Sequence, residues 1–133
     1  MMNCMFCVLP QQVYNREAIR PNNQGREMNN GIYYVVFSSN QNDVGQGTVV
    51  VKDNSVNGGD FGFTYQGHVN GNRLDLHVFQ HNPQAVNVFQ GINDYTIELS
   101  VQENANGYTL EGAVRGIPQA HLRVQAKFIG DLA

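Results

Sequence analysis

From residue 28 onward the chain alternates apolar and polar positions in short runs, and clusters of Gly, Asn and Asp interrupt the runs at near-regular intervals. In Arg73-Leu74-Asp75-Leu76-His77-Val78 the aliphatic side chains face one way and the polar ones the other. The same period of two recurs in Tyr95-Thr96-Ile97-Glu98-Leu99-Ser100-Val101, in Tyr108-Thr109-Leu110-Glu111-Gly112-Ala113-Val114 and in Leu122-Arg123-Val124-Gln125-Ala126-Lys127-Phe128. It is the signature of strands with one dry and one wetter face. The pattern predicts strands over residues 31–38, 45–52, 61–69, 73–80, 93–102, 108–115 and 121–129. The first two are apolar on both faces. Turns are expected at Asp53-Asn54-Ser55, at Asn57-Gly58-Gly59-Asp60 and at Gly116-Ile117-Pro118-Gln119, and a tight hairpin at Asn70-Gly71-Asn72. Loops are expected over 39–44, 103–107 and 81–92, the last with Pro83 and a helical turn at 84–89. Sequential strands with short connections make an all-β, antiparallel meander of seven or eight strands. A barrel is favoured over a sandwich because closure removes exposed edges.

Residues 1–27 break the pattern and read as a poorly structured extension with a short helix near 13–19; residues 28–133 form the barrel domain. A natural translation start at Met28 is an alternative origin for this break. At 133 residues the chain can build one core. Its hydrophobic content of 41% excludes global disorder.

The net charge of −3 and a pI near 5.7 argue against nucleic acid as the direct partner, which would need a basic face. Residues 28–133 hold five basic and nine acidic side chains, a balance better suited to a basic protein partner. No run has the roughly eighteen apolar residues of a membrane span. The first ten residues lack the basic region of a secretory leader. Both cysteines, Cys4 and Cys7, precede the barrel, so a cytoplasmic location without a disulfide framework is expected.

Candidate chemistry is sparse. Cys4-Met5-Phe6-Cys7 has the spacing of half a metal site, but there is no second pair, and an incidental pair is the plainer reading. His77 and His81 would share a strand face roughly 13 Å apart, too far for one ion. His68 and His121 could approach only through register. No metal site is expected. Asp60-Phe61-Gly62 spells a kinase magnesium motif without any of the accompanying kinase motifs, and reads as a turn entering a strand. Glu98 and Glu111 could pair across neighbouring strands but read better as exposed carboxylates. No catalytic residues and no cofactor are expected, and a non-enzymatic protein follows. The residues Leu74, Leu76, Val78, Tyr95, Ile97, Leu99, Tyr108, Leu110, Val124 and Phe128 share one face. They form either simply a core or the wall of a cavity for a small hydrophobic ligand.

Several short runs, in order, resemble the GrlR family of type III secretion regulators. They are Gly31-Ile32-Tyr33 through Phe37 with Ser39-Asn40, Gly45-Gln46-Gly47, Gly58-Gly59-Asp60, Tyr65-Gln66-Gly67, Leu76-His77-Val78, Val114-Arg115-Gly116 and Ala126-Lys127-Phe128-Ile129. The resemblance covers about Met28 to Leu132. It implies a lipocalin-like barrel that dimerises and a negative regulator that sequesters a helix-turn-helix transcriptional activator. Well-known members carry an acidic surface run after the Tyr-Gln-Gly strand. Here that stretch reads Val69-Asn70-Gly71-Asn72-Arg73-Leu74-Asp75, with one acid and one new base. Asn70, Asn72, Arg73 and Asp75 are therefore the candidate partner-binding residues, through hydrogen bonds more than charge. The alternative function is a carrier or sensor of a small hydrophobic ligand; a third is carboxylate catalysis.

Overall fold

The computed structural model describes residues 28–40, 44–85 and 92–133. Eight strands follow one another around a closed antiparallel barrel: β1 (Gly31–Ser39), β2 (Val44–Lys52), β3 (Ser55–Gly59), β4 (Phe63–Asn70), β5 (Arg73–Gln80), β6 (Asp94–Asn104), β7 (Gly107–Val114) and β8 (Ile117–Gly130). Each strand pairs with its chain neighbours, and β1 closes on β8, with Val35 opposite Ala126 and Phe37 opposite Val124. The expected all-β barrel is therefore present, with eight strands. The extension over 1–27 with its Cys4 and Cys7, and most of the helical turn over 84–89, lie outside the described residues.

The alternation read from the sequence becomes the division between inside and outside. In β5 the burial pattern puts Leu74, Leu76 and Val78 inward, and β6 does the same for Tyr95, Ile97 and Leu99. Tyr33, Val35 and Phe37 of β1 and Val49 and Val51 of β2 join them. Each such aliphatic or aromatic side chain contributes about 1.5–3 kcal/mol through burial. Met28, three residues before β1, is 2% exposed and packs into the same core. Tyr33 stacks edge-on to Phe128 at 5.6 Å and tilts against Tyr108 at 5.9 Å. The Tyr33 hydroxyl donates to the Asn29 carbonyl at 2.7 Å, and the Asn29 N–H donates to the Tyr108 hydroxyl at 3.0 Å.

Two boundaries differ from the sequence expectation. Asn57-Gly58-Gly59, read as a turn, belongs to β3, and β4 starts only at Phe63. The glycines serve close packing here. Gly58 lies opposite Val49 on one side and Tyr65 on the other, and a β-carbon on it would sit 2.1 Å from the Thr48 carbonyl oxygen. One on Gly47 would press within 3.0 Å of the Tyr65 hydroxyl. The missing side chain at Gly47 leaves room for the Tyr65 ring, which meets Phe37 edge-on at 5.1 Å. Likewise Ile117-Pro118-Gln119 opens β8 instead of turning. Pairing with β7 jumps from Ala113–His121 to Val114–Ile117, and pairing with β1 begins only at Leu122. Pro118 thus occupies a bulge where its missing N–H breaks no ladder bond.

The remaining hairpins agree with their turn chemistry. Asp53 and Asn54 both take positive φ, 50° and 67°, as the twist of a two-residue hairpin favours. In the hairpin closed by Asn70 and Arg73, only Gly71 takes positive φ, at 67°. No helix among the described residues is long and apolar enough to cross a membrane.

Gly58→Ala is expected to cost about 2 kcal/mol or more, because the new methyl meets rigid backbone. Gly71→Ala has open space around it and should cost only about 1–2 kcal/mol, for its left-handed φ. Urea unfolding of the two variants, with unchanged slope, checks the order.

Candidate functional site

The hairpin between β4 and β5 presents Asn70, Asn72, Arg73 and Asp75 to solvent together. The Asn72 carbonyl accepts the Val101 N–H at 2.7 Å, which ties the turn to β6. The antiparallel register then places Asp75 directly opposite Glu98 of β6. Two like charges side by side are destabilising unless bases offset them. Two arginines do so. Arg73 lies 3.7 Å from Asp75 and 3.4 Å from Glu98. Arg115, from the turn after β7, lies 3.2 Å from Asp75 and 2.7 Å from Glu98. The face is thus a balanced square of two acids and two bases, all at least 38% exposed. Arg115 was not among the candidates read from sequence. The signal that could have found it is the register itself, which leaves the Asp75–Glu98 pair in need of a second cation.

Hydrogen bonding from Arg115 is the main cause that holds Glu98 below the usual carboxylate range, with the nearby charges of Arg115 and Arg73 adding to it. The same contact raises Arg115. Glu111 is engaged elsewhere: it sits opposite Arg123 of β8, at 3.2 Å. Register pairs Glu98 with Ala113 and Glu111 with Ser100. Each carboxylate therefore has its own arginine, and the two do not form an acid–base dyad.

The ten apolar residues proposed as a cavity wall fall into three places. Leu74, Leu76, Leu99, Leu110 and Val124 surround a mid-barrel void of about 30 Å³ together with Met28 and Phe37. That space holds at most about one water. Val78, Tyr95 and Ile97 line a separate, open cavity of about 320 Å³ at the end of the barrel where β4 begins, shared with Phe37, Phe61, Phe63, Tyr65 and Leu122. Tyr108 and Phe128 belong to a polar depression at the opposite end, with Asn29, Asn106 and Lys127. Phe128 is 40% exposed because it lies at the rim, past the last inward turn of the sheet.

Asp60-Phe61-Gly62 is a turn at the mouth of the open cavity at the β4 end. Asp60 Oδ1 accepts the N–H groups of Gly62 and Phe63, both at 2.8 Å, and Oδ2 accepts the Tyr65 hydroxyl. Burial, and then this hydrogen bond, push the Tyr65 phenol well above its ordinary range, so it stays a donor. Three of the four histidines have separate side-chain partners. His77 Nε2 meets Asp94 at 2.7 Å, His81 Nδ1 meets Thr64 at 2.8 Å and His68 Nδ1 meets Ser55 at 3.3 Å. No group of three or more potential metal ligands comes together among the described residues.

Glu98's lowered pKa means that its ion pairs contribute to stability above its unfolded-state value and lose that contribution as pH falls through the folded value. Arg115→Gln should move the Glu98 titration midpoint upward, toward the ordinary carboxylate range. Carboxyl-carbon NMR titration of both proteins measures it; an unmoved midpoint would contradict the assigned contact.

Residues 28–132 match the family described as T3SS negative regulator, GrlR, where T3SS denotes the type III secretion system. No curated protein matches the chain. The matched span runs from Met28 in the core to Leu132, just beyond β8, and so takes in the whole barrel. The chain therefore belongs to the GrlR family of type III secretion negative regulators.

Proposed function

We propose that this protein regulates secretion-gene expression without catalysis, by using the outside of a filled barrel to bind a transcriptional activator of the helix-turn-helix type. Family membership supports the regulatory role. The single observation that carries the surface reading is the filled middle of the barrel, whose void of about 30 Å³ leaves no room for a carried ligand there. The Asn70–Asp75 hairpin is the proposed contact. Its one acid, Asp75, and the neighbouring Glu98 of β6 are matched by Arg73 and Arg115, so it offers little net field to steer a basic partner. Recognition then rests on the amides of Asn70 and Asn72, the Arg73 guanidinium and shape. A cytoplasmic setting suits such a role.

The active form we propose is a homodimer. The outward faces of β1 and β2 carry Ile32, Tyr34, Val36 and Val50, with Ile32 opposite Val50, and Ile129 of β8 adjoins them. Tyr34, Val50 and Ile129 are 37%, 38% and 55% exposed. An apolar face of this kind favours a two-fold contact. The wild-type chain should sediment as a dimer at tens of micromolar, and the double variant Val50→Asp, Ile129→Asp as a monomer. A wild type that stays monomeric would refute this surface.

Binding to the host's own candidate activator, measured between about 0.05 and 0.3 M salt, tests the contact. Wild type should bind with little salt dependence, and Arg73→Glu should weaken binding. Affinity that collapses with salt, together with loss on Asp75→Asn, would reinstate a charge-driven contact. Absence of binding would remove the activator reading.

A further inference from the structure

The open cavity at the β4 end has one property that a plain apolar void lacks. Asp60 is the only charged residue among the described residues that line it. The carboxylate is tied down by neutral donors alone: two backbone N–H groups on Oδ1 and the Tyr65 hydroxyl on Oδ2. A carboxylate has about four acceptor positions, so one remains open on Oδ2. No arginine, lysine or histidine forms an ion pair with Asp60 among the described residues. The contrast with the barrel's flank is sharp, since there every carboxylate of the square has an arginine. Five rings, Phe37, Phe61, Phe63, Tyr65 and Tyr95, line the cavity with Asp60, beside aliphatic side chains and the neutral amides of Gln46 and Gln84. Phe61 stands at the rim, 74% exposed.

A fixed negative charge beside aromatic faces attracts organic cations through both the carboxylate and the ring quadrupoles. It disfavours anions, and it gives neutral apolar molecules only the rings. At about 320 Å³ the space lies at the small end of ligand cavities. We propose that this end cavity is a binding site for a small organic ammonium compound, an aryl- or alkyl-amine whose cation sits at Asp60 and whose apolar body lies among the rings. The inference is independent of the activator contact, which lies on the flank of β4–β7. The donors are already in place, so the carboxylate needs no rearrangement to receive the cation. Tyr65, kept protonated by its burial, holds Oδ2 in position.

The test uses the full chain, labelled with nitrogen-15, and phenethylammonium as probe. Two isosteres serve as controls: neutral 2-phenylethanol and anionic 3-phenylpropanoate. Saturable shifts are expected at the Gly62 and Phe63 amides, which report directly on Asp60. The amine should bind at least about tenfold more tightly than the alcohol, and the anion should not bind. In Asp60→Asn, which can keep the turn through its own oxygen, amine and alcohol should bind alike. Equal binding of amine and alcohol to the wild type would overturn the proposal. So would an undiminished preference in Asp60→Asn, or amine shifts confined to the Asp75–Glu98 face. Should the variant fail to fold, the comparison of the three probes on the wild type decides alone.

Discussion

Closure of the sheet is the constraint on which everything else in this molecule depends. Once β8 pairs with β1, eight strands enclose a fixed interior, and inward side chains must share it. Large residues at one level require small ones beside them. Tyr65 fits because Gly47 carries no side chain where the ring passes, and β3 can lie against β2 because Gly58 carries none beside the Thr48 carbonyl. Gly67 and Gly112 meet the same kind of limit, with carbonyl oxygens of neighbouring strands where a β-carbon would go. The result is a middle that is packed and an end that is open, and the functional possibilities divide along that line.

Closure also fixes what faces outward. The register that packs Leu74 against Leu99 and Leu76 against Ile97 brings Asp75 beside Glu98 as a by-product. The two arginines around them resolve a problem that pairing creates, and the square they form is neutral. The core depends on one parity of each strand and the outer surface on the other, so the charge of the hairpin is set independently of the packing inside. The charged outer flank with an apolar interior is also the reverse of the arrangement in barrels that cross membranes.

The ends of the barrel carry the less regular chemistry. Where strands stop, backbone groups lose their ladder partners, and side chains such as Asp60, Tyr33 and Tyr108 take over. Those polar groups sit next to rings that the sheet no longer covers. A closed barrel therefore concentrates its irregular polar groups at its rims, while its middle serves stability.

The sequence by itself determined the all-β class, the inward parity of nearly every strand and the order of the meander, because a period of two is written directly in adjacent residues. The resemblance to the family was also legible, in short ordered runs that the match over residues 28–132 bears out. Strand β3 was not legible, since glycines that permit close packing look the same in sequence as glycines that turn, and the Pro118 bulge was hidden for a similar reason. Nor was the site. Asp60 reads as a turn residue and Arg115 as the end of a strand until long-range pairing brings each to its neighbours. The ten inward residues shared one face in sequence, but only the tertiary structure decided that they lie at three heights along the barrel, with different space beside each. Parity is a local property of the chain; height, register and void volume belong to the closed sheet.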